Sequence, residues 1–171
     1  MAKVLVISPP FLKNFARNVR WPAVTKGRIL RPPDWLASAT AVLEESGHQV
    51  KLIDMVANNQ TKDDLKYLVR KEYPDWVVLD ASTPSIENDI DCARIVKKYS
   101  NTKVIMVGTH VSAFPEDTIM SANGAIDYLC KGEYDLTIRE IINGNIKSRV
   151  AQLPLIEDLD ILPFPAWKFI D

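Results

Sequence analysis

Val104-Ile105-Met106-Val107-Gly108-Thr109-His110-Val111-Ser112-Ala113-Phe114-Pro115-Glu116 decides the fold. The first four residues are an unbroken apolar run, the mark of a strand buried on both faces. Gly108 ends that run and opens a loop. Pro115 and Glu116 then mark the first turn of a helix, where proline loses no hydrogen bond and an acid faces the positive end of the dipole. Strand, glycine-opened loop and helix form the unit by which an open α/β sheet presents backbone amides at the carboxyl ends of its strands. Three further strand ends carry similar loops: Ser8-Pro9-Pro10, Asp80-Ala81-Ser82-Thr83-Pro84 and Lys131-Gly132-Glu133-Tyr134-Asp135.

Outward from this stretch, short apolar runs alternate with amphipathic segments. Strands are predicted at residues 4–7, 50–54, 76–79, 104–107 and 125–129. A long loop over residues 9–33, rich in Arg, Lys and Pro and holding Trp21, follows the first strand. Helices are predicted over 35–46, from Thr61 to just before Pro74, and over 84–99, 115–122 and 134–142. Asp34 is the expected N-cap of the first, and Gly47 suits its left-handed C-terminal position. Strands separated by helices imply a parallel sheet covered on both faces. The expected fold is a doubly wound five-stranded α/β sheet of flavodoxin-like, Rossmann-like order 2-1-3-4-5, with ligands above strands one, three and four.

The 171 residues suffice for one sizeable α/β domain, assigned to residues 1–146. Residues 147–171 hold several prolines and no clean period, and read as an extended linker. Its apolar residues are too many for a free linker, so it is expected to fold back on the domain or to self-associate. The net charge of -1 comes from 21 basic and 22 acidic residues with no basic block, so no nucleic-acid partner is indicated. No apolar run approaches the ~20 residues of a membrane span. The chain opens on a strand pattern rather than a charged region and an apolar core, so no signal peptide is expected and the location is expected to be cytoplasmic. Cys92 and Cys130 lie outside any metal-ligand spacing and read as reduced packing cysteines.

The loops and their order resemble the cobalamin-binding domain at the front of many radical S-adenosylmethionine enzymes. In that family a Pro-Pro pair follows strand one, matched by Pro9-Pro10. A Gly-His-x-Val turn matches Gly47-His48-Gln49-Val50, and an Ile-Asp strand end matches Ile53-Asp54. A Ser/Thr-rich loop matches Ser82-Thr83-Pro84-Ser85, and Gly-x-His followed by Pro-Glu matches Gly108, His110, Pro115 and Glu116. Gly-Glu matches Gly132-Glu133, and residues 158–166 resemble the family's linker into its catalytic barrel. The resemblance covers nearly the whole chain.

It implies cobalamin as cofactor. The expected contacts are Pro9 and Pro10 after strand one and Ser82, Thr83 and Pro84 after strand three. After strand four they are Gly108, Thr109, His110, Val111 and Ser112, and after strand five Gly132 and Glu133. Small hydroxyl side chains and bare glycines suit a large ligand fringed with amides, and Gly108→Val is expected to close the groove without harming the fold. No catalytic residue and no protein ligand to a metal is assigned. The Asp-x-His-x-x-Gly motif of methionine-synthase-like domains is absent, so no histidine is expected to bind cobalt. His48 reads as structural. His110 reads equally as a corrin-edge contact or as a loop-stabilising partner. Many relatives carry a second glycine where Val107 stands.

The CxxxCxxC motif that holds the family's iron–sulfur cluster is also absent. The expected partner is therefore a radical S-adenosylmethionine catalytic domain of the same polypeptide, which would supply that cluster and bind S-adenosylmethionine. The chain then reads as an excised domain or fragment, inactive alone, of an enzyme for methyl transfer, radical rearrangement or cyclisation. Two alternatives share the fold. Asp80, Thr109 and Lys131 stand where a signalling receiver-like domain keeps its Asp, Thr/Ser and Lys, but Ser8-Pro9-Pro10 lacks the acidic pair for Mg²⁺. A flavin- or nucleotide-binding flavodoxin-like module would be expected to show a phosphate loop, and neither GxGxxG nor Gly-Lys-Ser/Thr is present.

Overall fold

The computed structural model describes residues 1–17, 19, 22–26 and 30–170; Trp21 and part of the long loop lie outside them. The first half contains β1 (Lys3–Ser8), a small hairpin of β2 (Phe15–Ala16) and β3 (Ala23–Val24), α1 (Asp34–Glu45), β4 (Gln49–Asp54) and α2 (Lys62–Glu72). There follow β5 (Trp76–Asp80), α3 (Ile86–Tyr99), β6 (Lys103–Val107), α4 (Thr109–Ala113), α5 (Pro115–Ala122), β7 (Tyr128–Cys130), α6 (Asp135–Ile142) and β8 (Val150–Ala151).

The main sheet is parallel, in the order β4-β1-β5-β6-β7-β8. Its first five strands have the expected flavodoxin-like order. Side chains along each strand alternate between two cores. Leu5, Ile7, Val77, Leu79, Val104 and Met106 meet Leu65 and Val69 of α2 and Ile90, Ala93 and Val96 of α3. Val4, Val6, Val78, Ile105 and Val107 meet Leu36, Ala39 and Leu43 of α1 and Ile138 and Ile141 of α6. Strands buried on both faces carry no polar alternation, which is why they read as plain apolar runs.

Local chemistry sets the element ends. Thr61 caps α2 in a reciprocal box with Asp64, and Gly47 takes the left-handed φ of 82° after α1. Asp34 is not the N-cap: Pro33 holds that position, and Asp34 Oδ1 accepts from the Trp35 amide at 3.1 Å. The fifth strand begins later than its apolar run, at Tyr128, because Asp127 Oδ2 accepts the Val104 amide at 2.7 Å and holds the chain before pairing starts. β8 is a short sixth strand within the segment that reads as linker. The Leu129 and Lys131 amides donate to Arg149 and Ala151 carbonyls at 2.8 and 2.9 Å, which satisfies the open edge of β7.

The loop after β1 is fixed by a buried ion pair. Arg17 Nη2 lies 3.0 Å from Asp89 Oδ1 and Nη1 lies 3.2 Å from Oδ2, with side-chain exposures of 2% and 0%. Arg17 also donates to the Pro9 carbonyl at 3.0 Å and to Ser85 Oγ, and it packs by Phe11 and Phe15. Ser85 Oγ donates to Asp89 Oδ2 at 2.6 Å. Removing one partner of such a pair leaves a bare buried charge. Arg17→Met should therefore lower unfolding free energy by about 3–5 kcal/mol in urea denaturation; a loss within experimental error would show that the pair anchors nothing.

Candidate functional site

Gly108 determines the geometry at the carboxyl edge. Its φ is 110°, and an added Cβ would stand 2.6 Å from Asp80 Oδ1 and 2.9 Å from the Ala81 amide nitrogen, overlapping the Ala81 carbonyl oxygen as well. The end of β6 packs directly on the end of β5 because position 108 has no side chain. A valine there would thus strike the strand end itself, so Gly108→Val damages the fold rather than only the groove.

The chain turns into the five-residue helix α4 directly after Gly108, where the sequence predicts a loop. Ser112, on its second turn, donates to the Gly108 carbonyl at 3.1 Å and accepts from the Gly132 amide at 3.0 Å. One hydroxyl therefore ties the strand-end loops of β6 and β7 together. Gly132 has φ 64°, and a Cβ there would approach Gln152 Nε2 to 3.3 Å.

Between these loops and the start of α1 lies a cavity of about 590 Å³. Gly108, Thr109, Ser112, Gly132 and Glu133, five of the residues singled out in the sequence, line it. Trp35, Ser38, Ala113, Tyr134, Asp135 and Leu162 complete it. The remaining expected residues lie off the cavity. Pro9 and Pro10 are buried, and their carbonyls accept from Arg17 and from Asn88 Nδ2, the latter at 2.7 Å. Ser82 is buried with its Oγ 2.7 Å from Ser85 Oγ. The Val111 side chain is fully buried in the core, so only its backbone remains for a ligand. Thr83 and Pro84 are exposed, and Thr83 Oγ1 sits 3.2 Å from His110 Nδ1. His110 also packs on Phe114, with ring centroids 5.2 Å apart. His48 sits at the opposite edge, where its Nδ1 accepts the Ala2 amide and its Nε2 lies 3.1 Å from Asn143 Oδ1.

Tyr134 and Asp135 belong to the strand-five loop that the sequence picks out. Trp35 and Ser38, one turn apart at the start of α1, carry a signal only in hindsight: a large aromatic in the first turn that stays 52% exposed. Leu162 carries none.

Burial governs the acids here. Asp80 is 6% exposed, and desolvation raises its pKa from 3.8 to about 6, with partial relief from the Arg17 charge. Asp135 is likewise raised to about 6 by burial, and its Oδ1 has no partner among the described residues. Burial pushes the Cys92 thiol up to about 12 and raises that of Cys130, so both remain protonated packing groups. Burial lowers the His110 pKa.

Comparison with known proteins places the fold in a family. The B12 binding domain family matches residues 28–142, and the chain belongs to that family. An uncharacterized methyltransferase of Pyrococcus horikoshii is 29% identical over 98% of the chain, which spans 39% of that protein's length. The radical S-adenosylmethionine methyltransferase TsrM of Kitasatospora setae, solved with cobalamin and a [4Fe-4S] cluster, superposes with TM-score 0.66 at 17% identity, over 85% of this chain and 25% of TsrM. The cobalamin-dependent S-adenosylmethionine radical enzyme OxsB with aqua-cobalamin gives TM-score 0.66 at 16% identity, over 86% and 19%. The response regulator domain of Thermotoga maritima CheB gives TM-score 0.52 at 12% identity, over 84% and 92%, which reflects the shared fold.

The raised Asp80 pKa makes a stability prediction. The folded state takes up the proton at about pH 6 and the unfolded chain near 3.8, so this group's contribution to stability is largest in acid and falls as pH rises from about 4 to 6. Asp80→Asn should therefore be more stable than the parent at pH 7, by about 2–3 kcal/mol, and the gain should vanish near pH 4. A variant less stable at pH 7 than the parent in paired urea titrations would contradict a desolvated carboxylate.

Proposed function

We propose that this domain holds cobalamin over the ends of β6 and β7, with no protein imidazole on cobalt, as the accessory domain of a radical S-adenosylmethionine methyltransferase. The observation that carries this reading is the cavity between Gly108 and Gly132. Its volume lies within the roughly 300–1,000 Å³ of ordinary small-molecule sites, and a whole corrinoid with its tail exceeds it. The cavity suits one part of the ligand, and the rest lies over the open rim. Bare backbone at two glycines allows close approach, and Trp35 and Leu162 give apolar walls. The Asp135 Oδ1, which has no partner among the described residues, and the Ser38 hydroxyl suit amide or hydroxyl donors. When bound, cobalamin would supply methyl-transfer chemistry to the whole enzyme.

His48 lies at the opposite edge, and His110 is engaged with Thr83 Oγ1 and the Phe114 ring, which favours its reading as a loop partner. The cluster and the S-adenosylmethionine site belong to the rest of the polypeptide in this reading, because Cys92 and Cys130 are both buried. A receiver role is disfavoured. Asp80 is buried, β1 ends without an acid, and no group of three metal-ligating side chains occurs among the described residues. No helix in these residues is long and apolar enough to cross a membrane.

Reconstitution with hydroxocobalamin followed by desalting should leave a corrin absorbance spectrum at about one equivalent. After reduction to cob(II)alamin, electron paramagnetic resonance should lack nitrogen splitting from a protein imidazole, with His110→Ala indistinguishable from the parent. Splitting that disappears in His110→Ala would make His110 a cobalt ligand, and failure to retain corrin would remove the ligand itself.

A further inference from the structure

The segment after β8 makes an ordered return across the carboxyl edge. The Ile156 amide donates to Glu133 Oε2 at 2.8 Å. Leu162 then lies on the cavity wall, which also includes Trp35 of α1. The Ala166 amide donates at 3.0 Å to the Ala37 carbonyl in the first turn of α1, and Ala166 is buried there. Beyond it Lys168 pairs with Glu44 at 2.8 Å, and Phe169 and Ile170 pack on the core below α1. The run of small residues Ala37-Ser38-Ala39 lets the incoming backbone reach the helix. Two of these anchors are residues of the cavity or of the helix turn beside it.

We propose that residues 153–166 form a strap that is one wall of the ligand site, latched at Glu133 and Ala37, and that Leu162 sets the width of ligand the site admits. This departs from the expectation that the binding domain ends at residue 146 and the rest is linker. The strap's glutamate latch also lines the cavity, so anything that moves the strap alters the wall from which the ligand is held. The width-setting role rests on the ligand reading above; the latching does not.

Two measurements separate them. Without ligand, the Ile156 and Ala166 amides should exchange with solvent at least about tenfold slower than an unstructured chain, and Glu133→Ala should release Ile156 with the melting temperature unchanged. With hydroxocobalamin as titrant, Leu162→Trp should weaken binding by about tenfold or more through overpacking. Met120→Trp, on exposed α5 outside the cavity, should not change it. Free exchange at both amides overturns the strap. Parent-like affinity in Leu162→Trp overturns the role of Leu162. A parent chain that retains no corrin overturns the ligand reading, and the width-setting role with it, while exchange still decides the latch.

Discussion

The carbonyl of Ala81 and the carboxylate of Asp80 fill the space where a side chain at position 108 would stand. That contact fixes how β6 meets β5 at the edge where the sheet presents its loops. It also directs the chain from an extended strand straight into α4, with φ of 110° at the junction. From there Ser112 reaches the Gly132 amide, and the two loops become one rim. The cavity is what remains between that rim and α1. Its existence depends on the absence of one Cβ.

The four strand-end loops divide their labour. Those after β1 and β5 are spent on the fold. Arg17, Asp89, Ser85 and Ser82 form one buried network, and the Pro9 and Pro10 carbonyls are drawn into it. A charged pair this deep is sustained only because nearly every polar atom has a partner. The loops after β6 and β7 instead leave two glycines without side chains at the cavity, and the Asp135 Oδ1 has no partner among the described residues.

The tail joins this division. Leu155 and Phe164 stay exposed, at 71% and 96%, while Leu162 and Ala166 between and beyond them turn inward. One short segment thus has an apolar face toward the domain and another toward solvent. The chain spans 39% of the length of its Pyrococcus horikoshii relative.

The parallel sheet and the order of its five main strands are legible in the residues alone, because buried strands and capped helices are written in contiguous residues. The apolar runs at 104–107 and 76–79, Thr61 ahead of α2 and Gly47 after α1 are all local signals. Glycines and hydroxyls at strand ends also marked Gly108, Ser112, Gly132 and Glu133, which lie at one cavity on the carboxyl edge. Which loops are drawn into the fold depends on contacts between distant residues. Nothing local reveals that Arg17 would reach Asp89, 72 positions away, and draw Pro9 and Ser82 into the fold. Nor does a leucine among prolines show that position 162 comes to line the same cavity as Trp35. Both depend on which distant groups the packing brings to one place, and no window of neighbouring residues contains them.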